Sequence, residues 1–152
     1  VVKPLENRHA NKIISNLRGK FGVVIIPMKD TLRALITHIK NNEKVMLWLL
    51  GDQRPPKHAD YWTTFLNQEA AVFLGAEKMA KKFDAAVVFL DIKKVKRGHY
   101  EVQFIKLFEN AKETEPYEIT ETHTHTLENI IRKRPEYWLW SHKRWKHKKP
   151  EK

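Results

Sequence analysis

The sequence predicts an α/β fold: a mostly parallel sheet with helices on both faces and one antiparallel hairpin. Three observations carry that expectation. Apolar residues recur at helical spacing in four segments, unbroken apolar runs separate them, and two strand-like runs adjoin across a short basic turn. At 152 residues the chain has the length of one domain with a real core.

The elements follow in order. Ala10, Ile13, Ile14, Leu17 and Phe21 put a helix over roughly 6–20, stopped near Gly22. "VVIIP" at 23–27 reads as a buried strand ended by proline. In "KDTLRALITHIKNNEK", Asp30 or Thr31 is the cap, and Leu32, Leu35, Ile36 and Ile39 share one face. "KVMLWLLGD" at 44–52 is a second apolar strand, followed by the polar loop "QRPPKHADYWTT". "NQEAAVFLGAEKMAKKFD" is the next helix, with Val72, Ala76, Met79, Ala80 and Phe83 aligned. "AAVVFLDIKKV" and "HYEVQFIKLF" form a hairpin through "KKVKRG". A last helix starts near Pro116, carries Leu127, Ile130 and Ile131, and stops before Pro135.

In parallel sheets covered on both faces, ligands gather beyond the carboxyl ends of the strands, which directs attention to "LLGDQRPP". Asp52 stands at such a strand end, Gln53 and Arg54 follow, and Pro55 and Pro56 stiffen the exit. A carboxylate there orients a base, binds a hydroxyl or pairs with an arginine; the plainer alternative is a cap on the next turn.

Charge narrows the partners without choosing one. Twenty-nine Lys and Arg against 18 Asp and Glu give a net charge of +11, which favours polyanions of any kind. Cysteine is absent, which excludes disulfide and thiolate chemistry. No run of about 18 apolar residues occurs, so no segment of the sequence is expected to span a bilayer. The opening "VVKPLENRHANK" lacks the apolar core of a leader and reads as the tail of a strand already under way. The sequence is therefore expected to be part of a longer chain, with an arbitrary boundary or a disordered start as the alternatives.

The histidines offer little. His123 and His125 lack a third ligand at suitable spacing, so no metal site is expected. His38 with Glu43, and His123 with Glu128, match the pattern His, four residues, acid, in which a carboxylate holds an imidazole ready to accept a proton. Both histidines lie inside helices away from a strand-to-helix junction, and both are expected at the surface. There is no glycine-rich phosphate loop, nucleophile elbow or zinc-finger spacing.

"GDQRPP", "FLNQEAAVFLGAEKMAKKFDAAVVFLDIKK" and the ending "RPEYWLWSHKRWK" together resemble the bacterial lipid A biosynthesis acyltransferases, the lauroyl and myristoyl transferases of the lysophospholipid acyltransferase superfamily. The resemblance covers residues 1–152 as the carboxyl-terminal portion of a single acyltransferase domain, glycerolphosphate-acyltransferase-like and incomplete at its amino terminus. In that family a membrane-associated amino-terminal helix and a catalytic His-x4-acid motif come first. Neither is in this sequence, and His38 and His123 are not put in the motif's place. The resemblance implies that Asp52 and Arg18 help assemble the active site around an upstream histidine. It implies substrate contacts for Gln53, Arg54, His142, Lys143 and Arg144. The implied reaction moves an acyl chain from acyl carrier protein or acyl-CoA, as cosubstrate, to a hydroxyl of a lipid A precursor or related glycolipid. It needs no cofactor and no metal, and this portion alone is expected to be inactive. The implied location is the cytoplasmic face of the inner membrane, peripheral or anchored by the upstream helix.

The ending "PEYWLWSHKRWKHKKPEK" holds three tryptophans, Trp138, Trp140 and Trp145, among basic residues. Tryptophan suits a membrane interface and cations suit an anionic leaflet. Acyl carrier proteins are acidic, so the basic balance suits that donor too. Alternation also allows a strand with Tyr137, Leu139 and Ser141 on one side and Trp138 and Trp140 on the other. The joint expectation is a packed aromatic part and an exposed basic stretch over 142–149. Two alternatives come from other classes: a nucleic-acid-binding module, which uses basic residues with stacking aromatics, and a non-catalytic interaction domain. Against the first, most aromatics lie in apolar segments, and no nucleic-acid partner is expected.

Overall fold

The computed structural model describes residues 1–55, 57 and 59–150. They divide into two compact units, Val1–Leu50 and Gly51–Lys152. Pro56, the second of the two prolines expected to stiffen the exit of the Asp52 turn, lies outside the described residues. No described helix is long and apolar enough to cross a membrane.

In the first unit, helix α1 spans Arg8–Gly19. Asn7 caps it by accepting a hydrogen bond from the Ala10 N–H at 3.0 Å, and Gly22, at φ 81°, turns the chain beyond its end. A single 3-10 turn at Met28–Asp30 leads into helix α2, Thr31–Lys40. The Thr31 hydroxyl donates to the Met28 carbonyl at 2.9 Å and is buried in doing so. Leu35 is buried on the inner face of the helix as its spacing predicts.

The two strands expected here do not form. Residues 23–27 make one isolated parallel bridge, Val2 with Pro27, through Val2 N–H to Ile26 O and Met28 N–H to Val2 O, each 2.9 Å. Residues 44–50 carry no ladder; Trp48 O accepts from the Val1 nitrogen at 3.0 Å. A strand exists through its neighbours, and a β-branched run with one paired residue stays extended without becoming one.

The second unit holds two antiparallel hairpins. Strands β1, Tyr61–Phe65, and β2, Gln68–Val72, pair from Tyr61 with Val72 to Phe65 with Gln68. Leu66 and Asn67, both at positive φ, form the tight turn that matches strand twist. This corrects the expectation of one helix over 67–84: the helix, α3, is confined to Gly75–Phe83. Small buried Ala70, Ala71 and Val72 lie on the ladder before it. Strands β3, Val87–Lys96, and β4, His99–Phe108, form the expected hairpin, with Gly98 at φ 76° in its turn. Helix α4 spans Glu118–Lys133, close to the predicted bounds. Among the described residues the architecture is thus mixed α and β, with two antiparallel pairs in place of the expected mostly parallel sheet.

Two clusters form the core of this unit. Phe65, Ala70 and Ile131 pack with Leu66, Leu127, Trp138 and Trp145, while Ala80, Ala111 and Ile119 pack with Val87 and Phe108. Asp91 of β3 takes two hydrogen bonds from Arg134 just past α4, at 2.7 and 2.8 Å. At the opposite end, Glu77 of α3 accepts from Tyr117 N–H at 2.6 Å, Thr120 N–H at 3.0 Å and the Thr120 hydroxyl at 2.6 Å. The first turn of α4 has no local side-chain cap, and this buried carboxylate replaces it. Glu77→Ala leaves these donors unpaired in a dry site. Its expected cost is about 3 kcal/mol in urea unfolding, whereas truncating an exposed acid such as Glu69 changes little.

Candidate functional site

The site assembles in the second unit from three stretches distant in sequence: the turn Gly51–Arg54, the middle of α4, and the residues after Trp140. The turn is held to the carboxyl-terminal segment by two hydrogen bonds. The Arg54 N–H donates to His142 Nε2 at 3.2 Å, and the Arg54 guanidinium donates to Lys143 O at 3.2 Å. Since Nε2 accepts, the proton of a neutral His142 resides on Nδ1.

Arg144 lies deeper, 4% exposed. Its Nη1 donates to the Ala71 carbonyl of β2 at 2.6 Å, and its guanidinium stands 5.4 Å over the Phe65 ring. Burial pushes this arginine down from its usual range, and the Asp52 carboxylate opposes that push. The expectation of an exposed basic stretch is corrected here. Lys143, Lys146, Lys148 and Lys149 are exposed, whereas His142, Trp145 and His147 are half-buried and Arg144 is in the interior.

His123 of α4 completes the arrangement. A Cβ on Gly51 would stand 2.7 Å from His123 Cε1, so the imidazole rests against a backbone position that only glycine leaves open. Its other neighbour is the Phe89 ring at 5.3 Å. Burial lowers the His123 pKa, the Asp52 carboxylate pulls it upward, and Arg144 adds a further lowering. The Asp52 charge thus acts on both a half-buried imidazole and a buried guanidinium, in each case against the larger effect of burial.

Sequence reasoning expected His123 at the surface. The missed signal is its spacing: Ile119, His123 and Leu127 repeat every four residues, so the histidine stands in the apolar stripe of α4. Its supposed partner Glu128 is engaged elsewhere, by Arg132 one turn on. His38 does donate from Nδ1 to the Glu43 carboxylate, and that bond, followed by one from Asn41, lowers the Glu43 pKa. Gln53 is exposed on the same turn as Asp52. Arg18 belongs to the first unit, exposed in the last turn of α1. Among the described residues no group of three or more His, Cys, Asp or Glu could hold a metal ion.

The closing segment is not a strand. A 3-10 turn at Pro135–Tyr137 leads into bends. Trp138 and Trp145 each pack 5.9 Å from Phe65, while Trp140 is exposed and donates to Pro135 O at 2.7 Å. Two of the three tail indoles are thus packed against Phe65, and Trp140 is the exposed one.

The family model of the bacterial lipid A biosynthesis acyltransferases matches residues 1–147. The chain belongs to that family. No curated protein matches it in sequence. Membership makes this an acyltransferase-type chain of lipid A biosynthesis. In its closing stretch Trp138, Arg144 and Trp145 pack on β1 and β2, while His142 and Lys143 hold the Asp52 turn.

A pH prediction follows from His123. Its folded-state pKa is depressed below 6.5, so the unfolded chain binds the proton more readily. The stabilising effect is complete above about 6.5 and is lost as pH falls through the folded-state value. Thermal unfolding of the wild type is expected to shift downward from neutral toward mildly acidic pH, and His123→Asn to show a smaller shift across the same window.

Proposed function

We propose that the protein transfers a fatty acyl chain from acyl carrier protein, or from acyl-CoA, to a hydroxyl of a lipid A precursor or a related membrane lipid. The observation that carries this reading is the union of the Asp52 turn with the family's closing motif around His123. The base is a histidine of the family's His-x4-acid motif, upstream of Val1. It takes the acceptor hydroxyl proton, and the oxygen attacks the thioester carbonyl. The tetrahedral intermediate then expels the thiolate, which receives the proton. No acyl-enzyme forms, and the reaction so written uses no cofactor.

Within this reading Asp52 and Arg18 complete the active site, and Arg18 offsets phosphate or developing oxyanion charge. Exposed Gln53 and Lys143 meet the substrate headgroup, with Arg54 and His142 holding the turn that presents them. Arg144, sealed from solvent and bonded to the Ala71 carbonyl, acts as a positioning residue that fixes the segment carrying His142 and Lys143. The net charge of +11 suits an acidic carrier protein and an anionic membrane surface. The enzyme works at the cytoplasmic face of the inner membrane, peripheral or held by an upstream helix, and these residues alone are inactive.

A second reading rests on the His38–Glu43 hydrogen bond, which holds the imidazole by Nδ1 as a general base requires. In that reading His38 itself is the base.

In the full-length protein, Asp52→Ala and Arg18→Ala are expected to lower acyl transfer by about 100-fold or more, with melting temperature unchanged for Arg18→Ala and modestly lowered for Asp52→Ala, whose charge offsets the burial of Arg144. Transfer of labelled acyl chain from carrier protein to lipid acceptor measures it, and normal rates in both variants remove the site assignment. His38→Ala separates the two readings: unchanged transfer supports an upstream base, and abolished transfer supports His38.

A further inference from the structure

The β3–β4 hairpin leaves one of its faces uncovered. Register places Val88 opposite Lys106, Leu90 opposite Phe104, Ile92 opposite Val102 and Lys94 opposite Tyr100. In a pleated pair these side chains share a face. Phe89 and Asp91, on the other face, are buried. Val88, Ile92, Val102, Phe104 and Tyr100 are all exposed, Phe104 and Tyr100 at 62% each. Toward the turn the composition changes to Lys94, Lys96, Arg97 and His99, with the exposed apolar Val95 among them, while Lys93 and Glu101 pair on the face of Asp91. The hairpin therefore carries an aliphatic and aromatic band that ends in a cluster of cations.

We propose that this face is a docking surface for an anionic lipid bilayer, with the tip cations on headgroup phosphates and the apolar band at the acyl-chain boundary. Charge complementarity selects an anionic partner. The order of groups selects a membrane: apolar side chains continue directly into lysines, and a lysine can lay its stem along apolar surface while its ammonium group stays wet. Tyr100, at the junction of band and tip, suits the interface with its apolar ring and polar hydroxyl. The inference rests on the reading that the acceptor is a membrane lipid, and it adds which part of the chain meets the membrane. It assigns this role to the hairpin rather than to the basic closing segment.

The test is sedimentation of the full-length protein with vesicles of phosphatidylcholine alone or mixed with phosphatidylglycerol, a readout that requires no acyl transfer. Binding is expected to the mixed vesicles and to weaken with salt. Reversing Lys94, Lys96 and Arg97 to Glu should weaken it by about 100-fold. Val102→Ser with Phe104→Ser should weaken it by about tenfold at unchanged melting temperature. Lys148→Glu with Lys149→Glu should leave most of it intact. Wild-type binding by both hairpin variants overturns the proposal, as does a loss confined to the closing segment. A charge effect without an apolar effect identifies a soluble polyanion instead and overturns it. A large fall in melting temperature for Phe104→Ser shows a face covered within the protein, with the same consequence. Failed transfer with intact vesicle binding would count against the acyltransfer reading alone.

Discussion

The buried carboxylate of Glu77 orients much of the second unit. A helix begins with unsatisfied N–H groups, and α4 begins with Tyr117 at φ 69° and no side chain of its own to receive them. Glu77 comes from α3 to accept two of those N–H groups and the Thr120 hydroxyl. Lys81, one turn further along α3, stands 3.7 Å from the same carboxylate and donates to Thr114 and Glu115 carbonyls at 2.8 Å each. With its start so anchored, α4 presents different faces to different partners. Glu121 accepts from Tyr61 at 2.7 Å and Thr63 at 2.8 Å on β1, and its hydrogen bond pushes the Tyr61 pKa up to about 12. His123 reaches Gly51 and Phe89. Just past the last turn, Arg134 meets Asp91.

The closing segment combines packing and charge in an unusual proportion. Trp138, Trp145 and Arg144 surround Phe65, yet the indole N–H groups of both tryptophans and Nε of Arg144 are buried without a hydrogen-bond partner. Each such group costs free energy, and the aromatic area removed from water has to outweigh it. Arg144 is the costliest of the three because it carries charge, and the Asp52 carboxylate offsets part of that cost. The candidate turn is held to the same segment by the hydrogen bonds from Arg54 to His142 and Lys143.

Elements whose signal is local were legible. The span of α1, the stripe of α2, the β3–β4 hairpin and the start and stop of α4 stand close to where the pattern of residues put them. The segment 67–72 was misread because "NQEAAV" has reasonable helix formers, while the turn at Leu66 and Asn67 carries none of the glycine that normally announces a tight hairpin. "VVIIP" and "KVMLWLL" were read as strands on composition, which reports what a strand needs from its side chains and is silent about what it pairs with. At the site, Asp52, Arg54, His142 and Lys143 were named from motif and resemblance. His123 is not legible from the sequence because a lone histidine in an apolar stripe does not reveal whether its ring meets a glycine and a phenylalanine or solvent.

By itself the sequence determined helix periodicity, the long hairpin, the excess of positive charge and membership in an acyltransferase family, because each is written in neighbouring residues or in a motif. Only the tertiary structure decided that Arg144 is interior, that His123 needs a glycine beside it, and that a carboxylate 40 residues away caps α4. It also decided which apolar runs become strands. These outcomes depend on contacts between residues far apart in the chain, where burial and pairing set the energy and local propensity does not.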